Sequence, residues 1–398
     1  MIGVKMGDKL IQKKERKECI VLGVSSFCSL FALMLQTLLY GLLGNSMLIH
    51  IFVLIVAAIP TIRALPIWLK YEFDRVILCY GSILIVFLIQ YMVFLDNRAY
   101  MTEYLFQFLF MCIPAYLSMS MNWDTKIQTD IFKAFCWNVF VLGELYFFMI
   151  LVGRIAWGGY SYNMAFSYYM LLPALGFTYC LYRERKKIYI VPLIFAMISI
   201  IMLGSRGPLL CWVVFFLFGL YFSDIKLSFK CIWTVVIFII FMFYKKIIML
   251  LLPYLDELGI NSRSMEYFIT GSLVTDLGGR DTIYSIVIEL IKQNFVFGSG
   301  IGADLAATGQ YSHNLFLDLL LHYGVFLGIS MILIIIVMMW ISLSKTNDKT
   351  LWFVFFCGGF LPSMVSGTYL SSMLLWIFFG YCRRHNCLRF KLFNISIL

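Results

Sequence analysis

The feature that most constrains this chain is a repeated series of long apolar stretches. A helix needs about 20 apolar residues to cross the hydrocarbon core of a bilayer, and stretches of about that length recur from Cys19 almost to the last residue. Of the 398 residues, 62% are hydrophobic and 13% are charged, whereas soluble domains average about 45–50% apolar and about 25% charged residues. No aqueous fold could bury so much apolar surface. The sequence therefore predicts an all-α polytopic membrane protein.

Polar breaks divide the chain into about twelve predicted transmembrane helices. They lie near 18–42, 46–62, 76–95, 104–121, 134–152, 163–182, 188–203, 208–222, 231–250, 313–341, 350–366 and 370–382. An even number of spans puts both termini on the same side of the membrane. The sequence has no convincing internal repeat and no linker that would separate a soluble domain. We therefore expect residues 1–398 to form a single membrane domain.

Lysine and arginine are distributed unevenly between the two sides of this arrangement. Most of the 31 Lys and Arg residues fall in the N-terminus, in alternate loops and in the C-terminal tail, and such an excess marks the cytoplasmic side. Residues 1–17 and 383–398 are then basic cytoplasmic ends. The first apolar run has no clear cleavage site, which predicts a retained span and a multi-pass protein of the cytoplasmic (inner) membrane. Lys245 and Lys246 fit this rule badly, at the external end of the ninth span.

Several classes of partner and cofactor are not indicated. The net charge of +10 does not suggest nucleic acid, because the positive residues cluster at span ends rather than on one face. The sequence contains no Walker motif, no His-Glu-x-x-His and no Asp-x-Asp pair of the kind that holds a nucleotide-sugar metal. Cys382, His385 and Cys387 fit no standard zinc spacing and lie among arginines. We expect no metal and no cofactor, with energy or a sugar donor coming from the membrane.

One predicted external loop, residues 253–312, is far longer than the others. A loop of this length within a compact protein is usually functional or disordered, and its pattern argues against disorder. From Arg280 to Asn294 apolar residues recur at helical spacing, with polar residues opposite. The apolar positions are Ile283, Ile286, Val287, Leu290 and Ile291, and the polar ones are Thr282, Ser285, Glu289, Lys292 and Gln293. The loop is predicted to contain an amphipathic helix on the external face, with glycines at both ends.

Three residues that could carry chemistry fall on the predicted external face. Arg206 lies in a short Gly-Ser-Arg-Gly-Pro turn, Arg280 opens the amphipathic helix, and His313 precedes a span. A guanidinium beside the free N–H groups of a helix N-terminus is suited to phosphate, and a neutral imidazole could accept a proton. Each residue also has a simpler interpretation. An arginine at a helix end commonly reaches lipid headgroups, and a histidine there is commonly a capping residue.

Three further residues are possible supporting groups: Ser205, Asn314 and Asp318. Asp318 lies one helical turn from His322, and both could simply pair with polar groups on neighbouring helices. The Gly-Ser-Gly-Ile-Gly run at 298–302 is not a dinucleotide fingerprint, because no strand precedes it.

The order of these features resembles the O-antigen ligase and polymerase superfamily. The resemblance is carried by Ser205-Arg206-Gly207, the Gly-Arg that opens the loop helix, the Gly-x-Gly-x-Gly run, His313-Asn314, and Gly324 about ten residues further on. It covers the twelve-span plan and is sharpest between Gly204 and Gly328. No single motif is specific; their order, spacing and common membrane face carry the resemblance.

The resemblance implies a metal-independent membrane glycosyltransferase that acts on polyprenyl-diphosphate-linked oligosaccharide at the outer face of the cytoplasmic membrane. Arg206 and Arg280 match the family's two proposed diphosphate-binding arginines, and His313 matches its histidine near the reacting hydroxyl. The implied partners are the lipid-linked donor, a glycan acceptor, membrane lipid, and flippase and chain-length regulator proteins. Polymerisation of O-antigen or capsule repeat units is favoured over ligation to lipid A core. A lipid-linked oligosaccharide flippase is the alternative of another class, although it should show repeats and midplane charges.

Overall fold

A computed structural model describes residues 2–121, 124–154, 164–202, 206–222, 226–228, 230–232, 234–235, 246 and 280–385. The described residues form helices and turns, with no strand among them. The larger helices are α1 (Ile2–Leu43), α2 (Met47–Val93), α3 (Arg98–Gln107), α4 (Ile113–Met121), α5 (Thr125–Leu151), α6 (Met164–Glu184), α7 (Ile190–Met202), α8 (Arg206–Phe222), α9 (Arg280–Gln293), α10 (Ala303–Thr308), α11 (Leu315–Lys345), α12 (Lys349–Phe355), α13 (Leu361–Ser363) and α14 (Met373–His385).

Five helical segments of the described part are long and apolar enough to cross a membrane. These are Lys14–Leu43, Met47–Val93, Leu95–Met121, Thr125–Leu151 and Leu315–Lys345, and Lys187–Met202 and Arg206–Phe222 are shorter apolar helices. Large apolar side chains of α2 and α11, such as Leu54 and Trp340, are exposed. Such surfaces are stable against lipid rather than water. The prediction of a helical membrane protein is therefore confirmed.

Helix α2 accounts for two of the predicted spans, 46–62 and 76–95. Its 47 residues would extend about 70 Å if straight, more than twice the roughly 30 Å hydrocarbon thickness. The helix is interrupted at Glu72, whose φ of -145° is not helical. The first half of α2 runs antiparallel to α1, since Lys70 Nζ lies 3.2 Å from Glu18 Oε1 and the Cys28 thiol donates to Ala57 O at 3.3 Å.

Charged residues from four separate segments meet at one end of the helix bundle. Arg183 lies 3.5 Å from Asp348, and Tyr179 donates a hydrogen bond to the same carboxylate at 2.9 Å. Lys133 forms an ion pair with Glu184, and Arg384 donates to Gln128 and Thr125. Apart from Tyr179, which lies in the predicted span 163–182, these residues belong to loops or termini predicted to be cytoplasmic; their side of the membrane stays a prediction.

Loops predicted to be external meet at the C-terminal end of α2. Asn97 donates to Ser299 O at 3.0 Å, and the backbone N–H of Ile301 donates to the side chain of Gln90 at 3.0 Å. This end carries residues 294–314. It is called the loop end below.

Some boundaries differ from the sequence-based prediction. The predicted span 104–121 begins instead in α3 and passes through a wide π-helical turn at Phe108–Cys112, and the predicted span 350–366 contains another at Phe356–Phe360. A π-helical turn inserts a single residue into an apolar helix and does not alter its hydropathy, so the hydropathy pattern could not reveal these turns.

Some predictions cannot be compared with the structure. Most of the predicted span 231–250, Ser205, and residues 253–279 of the predicted external loop lie outside the described residues.

Candidate functional site

The loop end is organised by a close approach between two glycines, Gly298 and Gly324. Helix α11 breaks at Gly324, which has φ 79° and ψ 170°, and Gly298 has φ 75°. A Cβ atom on Gly324 would lie 2.1 Å from the carbonyl oxygen of Val296, and one on Gly298 would lie 2.5 Å from the nitrogen of Gly324. Only glycine combines these torsion angles with this backbone contact. The Gly-x-Gly-x-Gly run thus packs directly against the broken span.

The break in α11 leaves backbone N–H and C=O groups without partners in the helix. Residues 295–299 and the side chain of Gln90 form hydrogen bonds with them. Val325 donates its N–H to Phe295 O at 2.8 Å, and Ser299 donates to Leu321 O at 2.7 Å. The side chain of Gln90 donates to His322 O at 3.4 Å. Non-helical backbone at membrane depth is stable only when its polar groups are paired in this way.

The amphipathic helix predicted from Arg280 onward is present as α9 and packs on α11. Ile283, Val287 and Ile291 are buried against Leu321, together with Ala303 of α10. The polar positions predicted to face away, including Glu289 and Lys292, are exposed. This packing fixes the N-terminus of α9, and with it the position of Arg280.

Arg280, Tyr311 and His313 form a group at the loop end. The rings of Tyr311 and His313 lie 4.3 Å apart between centroids. Burial, and secondarily the positive charge of Arg280, lower the pKa of His313 to about 4. The pKa of Tyr311 is raised by burial, against opposing effects of a hydrogen bond to Ser366 and of Arg280. His313 is therefore a neutral imidazole at physiological pH, within the field of a guanidinium.

The span predicted to start at His313 starts two residues later in the structure. His313 has a left-handed φ of 56° and stands outside the helix, because α11 begins only at Leu315. Asn314 is the N-cap, and its side-chain oxygen accepts from the N–H groups of Phe316 at 3.0 Å and Leu317 at 3.2 Å. This explains Asn314 structurally. The buried Nδ1 of His313 has no hydrogen-bond partner among the described residues.

A second polar group lies beneath this one and contains three buried ionisable residues. Asp304 of α10 and Asp318 and His322 of α11 are each no more than 1% exposed. One ligand atom from each lies within 4.8 Å of the other two. His322 Nε2 is 3.8 Å from Asp304 Oδ1. The i, i+4 spacing of Asp318 and His322 is visible in the sequence, but the contribution of Asp304 depends on the fold of the loop.

Each of the three side chains has two polar atoms, and one of the two forms a hydrogen bond with a neighbouring residue. Asp304 Oδ2 accepts the N–H of Ser312 at 3.0 Å, and the hydroxyl of Ser312 donates to Asp318 Oδ1. His322 Nδ1 lies 3.1 Å from the hydroxyl of Tyr369. Burial would raise the pKa of the Asp304 carboxyl, but interaction with His322 and with backbone N–H groups lowers it overall. Ser312 thus ties the backbone beside His313 to both carboxylates.

Arg206, the other arginine predicted to bind anions, is the first residue of α8 and is half-buried. Helix α8 packs on α6, α12 and α13, and Gly207 lies against the hydroxyl of Tyr168. Contact of Arg206 with Arg280 or His313 stays a prediction, and Ser205 lies outside the described residues. Three participants are missed by the sequence analysis: Asp304, whose position depends on the fold of the loop, and Tyr311 and Tyr369, because isolated tyrosines in an aromatic-rich chain give no distinguishing signal.

Comparison with known proteins does not assign this chain to a family. A scan against protein-family models finds no match, and no curated protein sequence matches it. Its function must be argued from the loop end itself. There the charge of Arg280 acts on the neutral imidazole of His313, and a cation near an imidazole can bind an anionic group and accept a proton beside it.

Proposed function

We propose that the protein is a membrane glycosyltransferase that polymerises polyprenyl-diphosphate-linked repeat units into a surface polysaccharide. The observation that carries this proposal is the grouping of Arg280 with His313, expressed in the effect of the guanidinium on the pKa of the imidazole. A cation for a diphosphate and an acceptor for a hydroxyl proton are the two groups that such a transfer requires. The order of motifs that resembles O-antigen polymerases and ligases supports the same interpretation.

In this proposal Arg280 binds the diphosphate of the lipid-linked donor. Negative charge on the diphosphate grows as the bond to the anomeric carbon breaks, so a fixed guanidinium stabilises the transition state more than the ground state. The N–H groups at the start of α9 add partial positive charge at the same place. Arg206 is proposed as a second cation on the leaving group. An inverting, single displacement follows, since no residue is assigned as a covalent nucleophile.

His313 is proposed to accept the proton of the attacking sugar hydroxyl. Its lowered pKa keeps it unprotonated at neutral pH but also makes it a weak base. A bound diphosphate would offset the charge of Arg280, which is one of the two causes of that lowering. Donor binding would thereby raise the basicity of His313 when the acceptor arrives.

Both ends of the chain are proposed to lie in the cytoplasm, with the loop end at the outer face of the cytoplasmic membrane. The charged residues grouped at the other end of the bundle support this orientation, because cytoplasmic loops carry the excess of Lys and Arg. A ligase that transfers glycan to lipid A core, and a flippase for the same lipid-linked sugar, are the competing functions.

The test replaces Arg280 with Ala and with Lys in cells that make the polysaccharide and follows its chain-length distribution. We expect R280A to abolish long chains and R280K to retain part of the activity, because lysine keeps the charge but not the planar fork. Lys292→Ala is the matched control, since Lys292 is an exposed cation at the opposite end of the same helix. It should leave chain length unchanged.

The lipid-linked material that accumulates in R280A separates the competing functions. Single repeat units on the outer face favour polymerisation, single units on the inner face favour a flippase, and complete polymer left on its carrier favours a ligase. Long chains of unchanged length in R280A would refute the role of Arg280 at the diphosphate.

A further inference from the structure

The buried group of Asp304, Asp318 and His322 has a feature that hydrogen bonding within the described part of the protein does not explain. Each of the three side chains uses one polar atom for a bond to the protein, while the other has no hydrogen-bond partner there. These atoms are Asp304 Oδ1, Asp318 Oδ2 and His322 Nε2, and the three residues each offer a possible ligand atom within 4.8 Å of those of the other two. A buried polar atom without a partner costs about 1–3 kcal/mol, and more when charged. Three of them in one buried cluster indicate a missing partner.

The hydrogen bond at Nδ1 of His322 identifies the kind of partner. The hydroxyl of Tyr369 donates to the hydroxyl of Tyr323 at 3.0 Å, so its oxygen accepts from the N–H at Nδ1 of His322. Nε2 is then the ring nitrogen available to a ligand, and it lies 3.8 Å from Asp304 Oδ1. With Asp318 close by, three groups that can donate an electron pair to a cation lie together. Such a set attracts a cation.

The surroundings match those of a metal-binding histidine. Histidine ligands usually donate their second ring N–H to a hydrogen-bond acceptor, and carboxylate ligands are in turn hydrogen-bonded, which fixes their orientation. Tyr369 does this for His322, and Ser312 does it for both carboxylates. The distance of 3.8 Å between His322 Nε2 and Asp304 Oδ1 is close to the separation of two ligands on a metal with bonds of about 2.0–2.2 Å.

We propose that Asp304, Asp318 and His322 bind one divalent transition-metal ion that fastens the loop helix α10 to the broken span α11. One imidazole and two carboxylates suit Zn²⁺ and Mn²⁺ better than Mg²⁺ or Ca²⁺, which prefer all-oxygen sites. The two carboxylates balance the charge of a divalent ion. The site is buried and differs from the Arg280 and His313 pair, so the ion has a structural role and its absence would leave the proposed chemistry of those residues intact in principle.

The experiment measures metal binding by the full-length chain in detergent, without an activity assay. Protein stripped with a chelator is titrated with Zn²⁺ and separately with Mn²⁺, and bound metal and the thermal unfolding midpoint are recorded. We expect one ion per chain at this site, and a midpoint that rises with the logarithm of free metal above the dissociation constant. Mn²⁺ is included because cysteine thiols bind it poorly, and the chain has 11 cysteines.

Variants assign the binding to this site. D304N and H322Q should each remove the ion and the metal-dependent rise in the midpoint. Tyr369→Phe keeps the ring but removes the acceptor for His322 Nδ1 and the hydrogen bond to Tyr323, and it should weaken affinity about 10–100-fold. Glu289→Gln is the matched control, because that carboxylate is exposed on α9. It should bind metal like the unaltered chain.

Two outcomes would overturn the proposal. One is an unaltered chain that binds neither ion at this stoichiometry and shows no change in its unfolding midpoint. That result would mean that no metal ion joins these three side chains. The other is metal binding that survives unchanged in D304N, H322Q and Tyr369→Phe, which would locate the ion elsewhere.

Discussion

A Cβ atom on Gly324 would lie 2.9 Å from the backbone nitrogen of Gly298, so these two glycines join a broken membrane helix to the loop that precedes it. The contact brings Ser299 to Leu321 and places α10 over Asp318 and His322. Both candidate groups at the loop end depend on it. The position of His313 relative to Arg280 is therefore a consequence of backbone packing at a glycine well beyond the histidine in the sequence.

Gly324→Ala tests this contact. The methyl group would meet the carbonyl oxygen of Val296, adding an overpacking cost of about 1–3 kcal/mol to a backbone strain of about 1–3 kcal/mol at φ 79° and ψ 170°. We expect a lower unfolding midpoint and loss of polymer. Gly309→Ala is the control for a positive φ without overpacking, because Gly309 has φ 72° and ψ 3° and no atom within 4 Å of the place its Cβ would occupy. It should show only the backbone penalty, and equal effects of the two substitutions would contradict the packing argument.

The packing of α9 on α11 predicts a strong asymmetry between neighbouring isoleucines. Ile283 is 7% exposed and Ile288 is 42% exposed. Replacing a buried isoleucine with alanine costs about 2–5 kcal/mol, whereas an exposed substitution changes stability by about 0.5 kcal/mol or less. Thermal unfolding of I283A and I288A in detergent measures the difference. Similar midpoints would mean that α9 does not pack on the span through this face.

The extent of α9 and its buried face could be predicted from sequence, because apolar residues at helical spacing indicate which face is buried. The break at Gly324 could not, since a single glycine in an apolar run is compatible with a continuous helix. Asp318 and His322 share a helix face by spacing alone. Asp304 joins them only because Gly298, Gly300 and Gly302 all take left-handed torsion angles, and the resulting path of the chain is a property of tertiary packing.

Asn314 is expected to act as a helix cap rather than a catalytic group. Asn314→Ala removes both side-chain hydrogen bonds to α11 and should cost about 1 kcal/mol. Asn314→Asp and Asn314→Ser are good caps and should restore stability and polymer length together. A variant that restored the unfolding midpoint but not the polymer would show that the amide itself takes part in the reaction.

The proposed orientation predicts the behaviour of reporter fusions. Alkaline phosphatase, which folds only outside the cytoplasm, should be active when fused after Gly309 at the loop end and inactive when fused after Thr346 at the charged end. A cytoplasmic fluorescent reporter should show the reverse. The two sites flank the single helix α11, so equal activity of both phosphatase fusions would mean that this helix does not cross the membrane.

The lowered pKa of His313 predicts its titration and its effect on stability. Burial and the charge of Arg280 hold it at about 4, below the ordinary value of about 6.5. The folded state therefore resists protonation, so the stability contributed by neutral His313 is complete above pH 6.5 and is lost as the pH falls toward 4.

The chain has only 4 histidines, which allows NMR titration of isotope-labelled protein in detergent, with His313→Gln to assign the signal. Arg280→Gln should raise the midpoint of that signal, since one of the two causes is removed. A midpoint near 6.5 in the unaltered chain, or a midpoint that is unchanged in Arg280→Gln, would mean that the guanidinium and the imidazole do not share a site. The proposal that donor binding assists proton transfer would then be wrong.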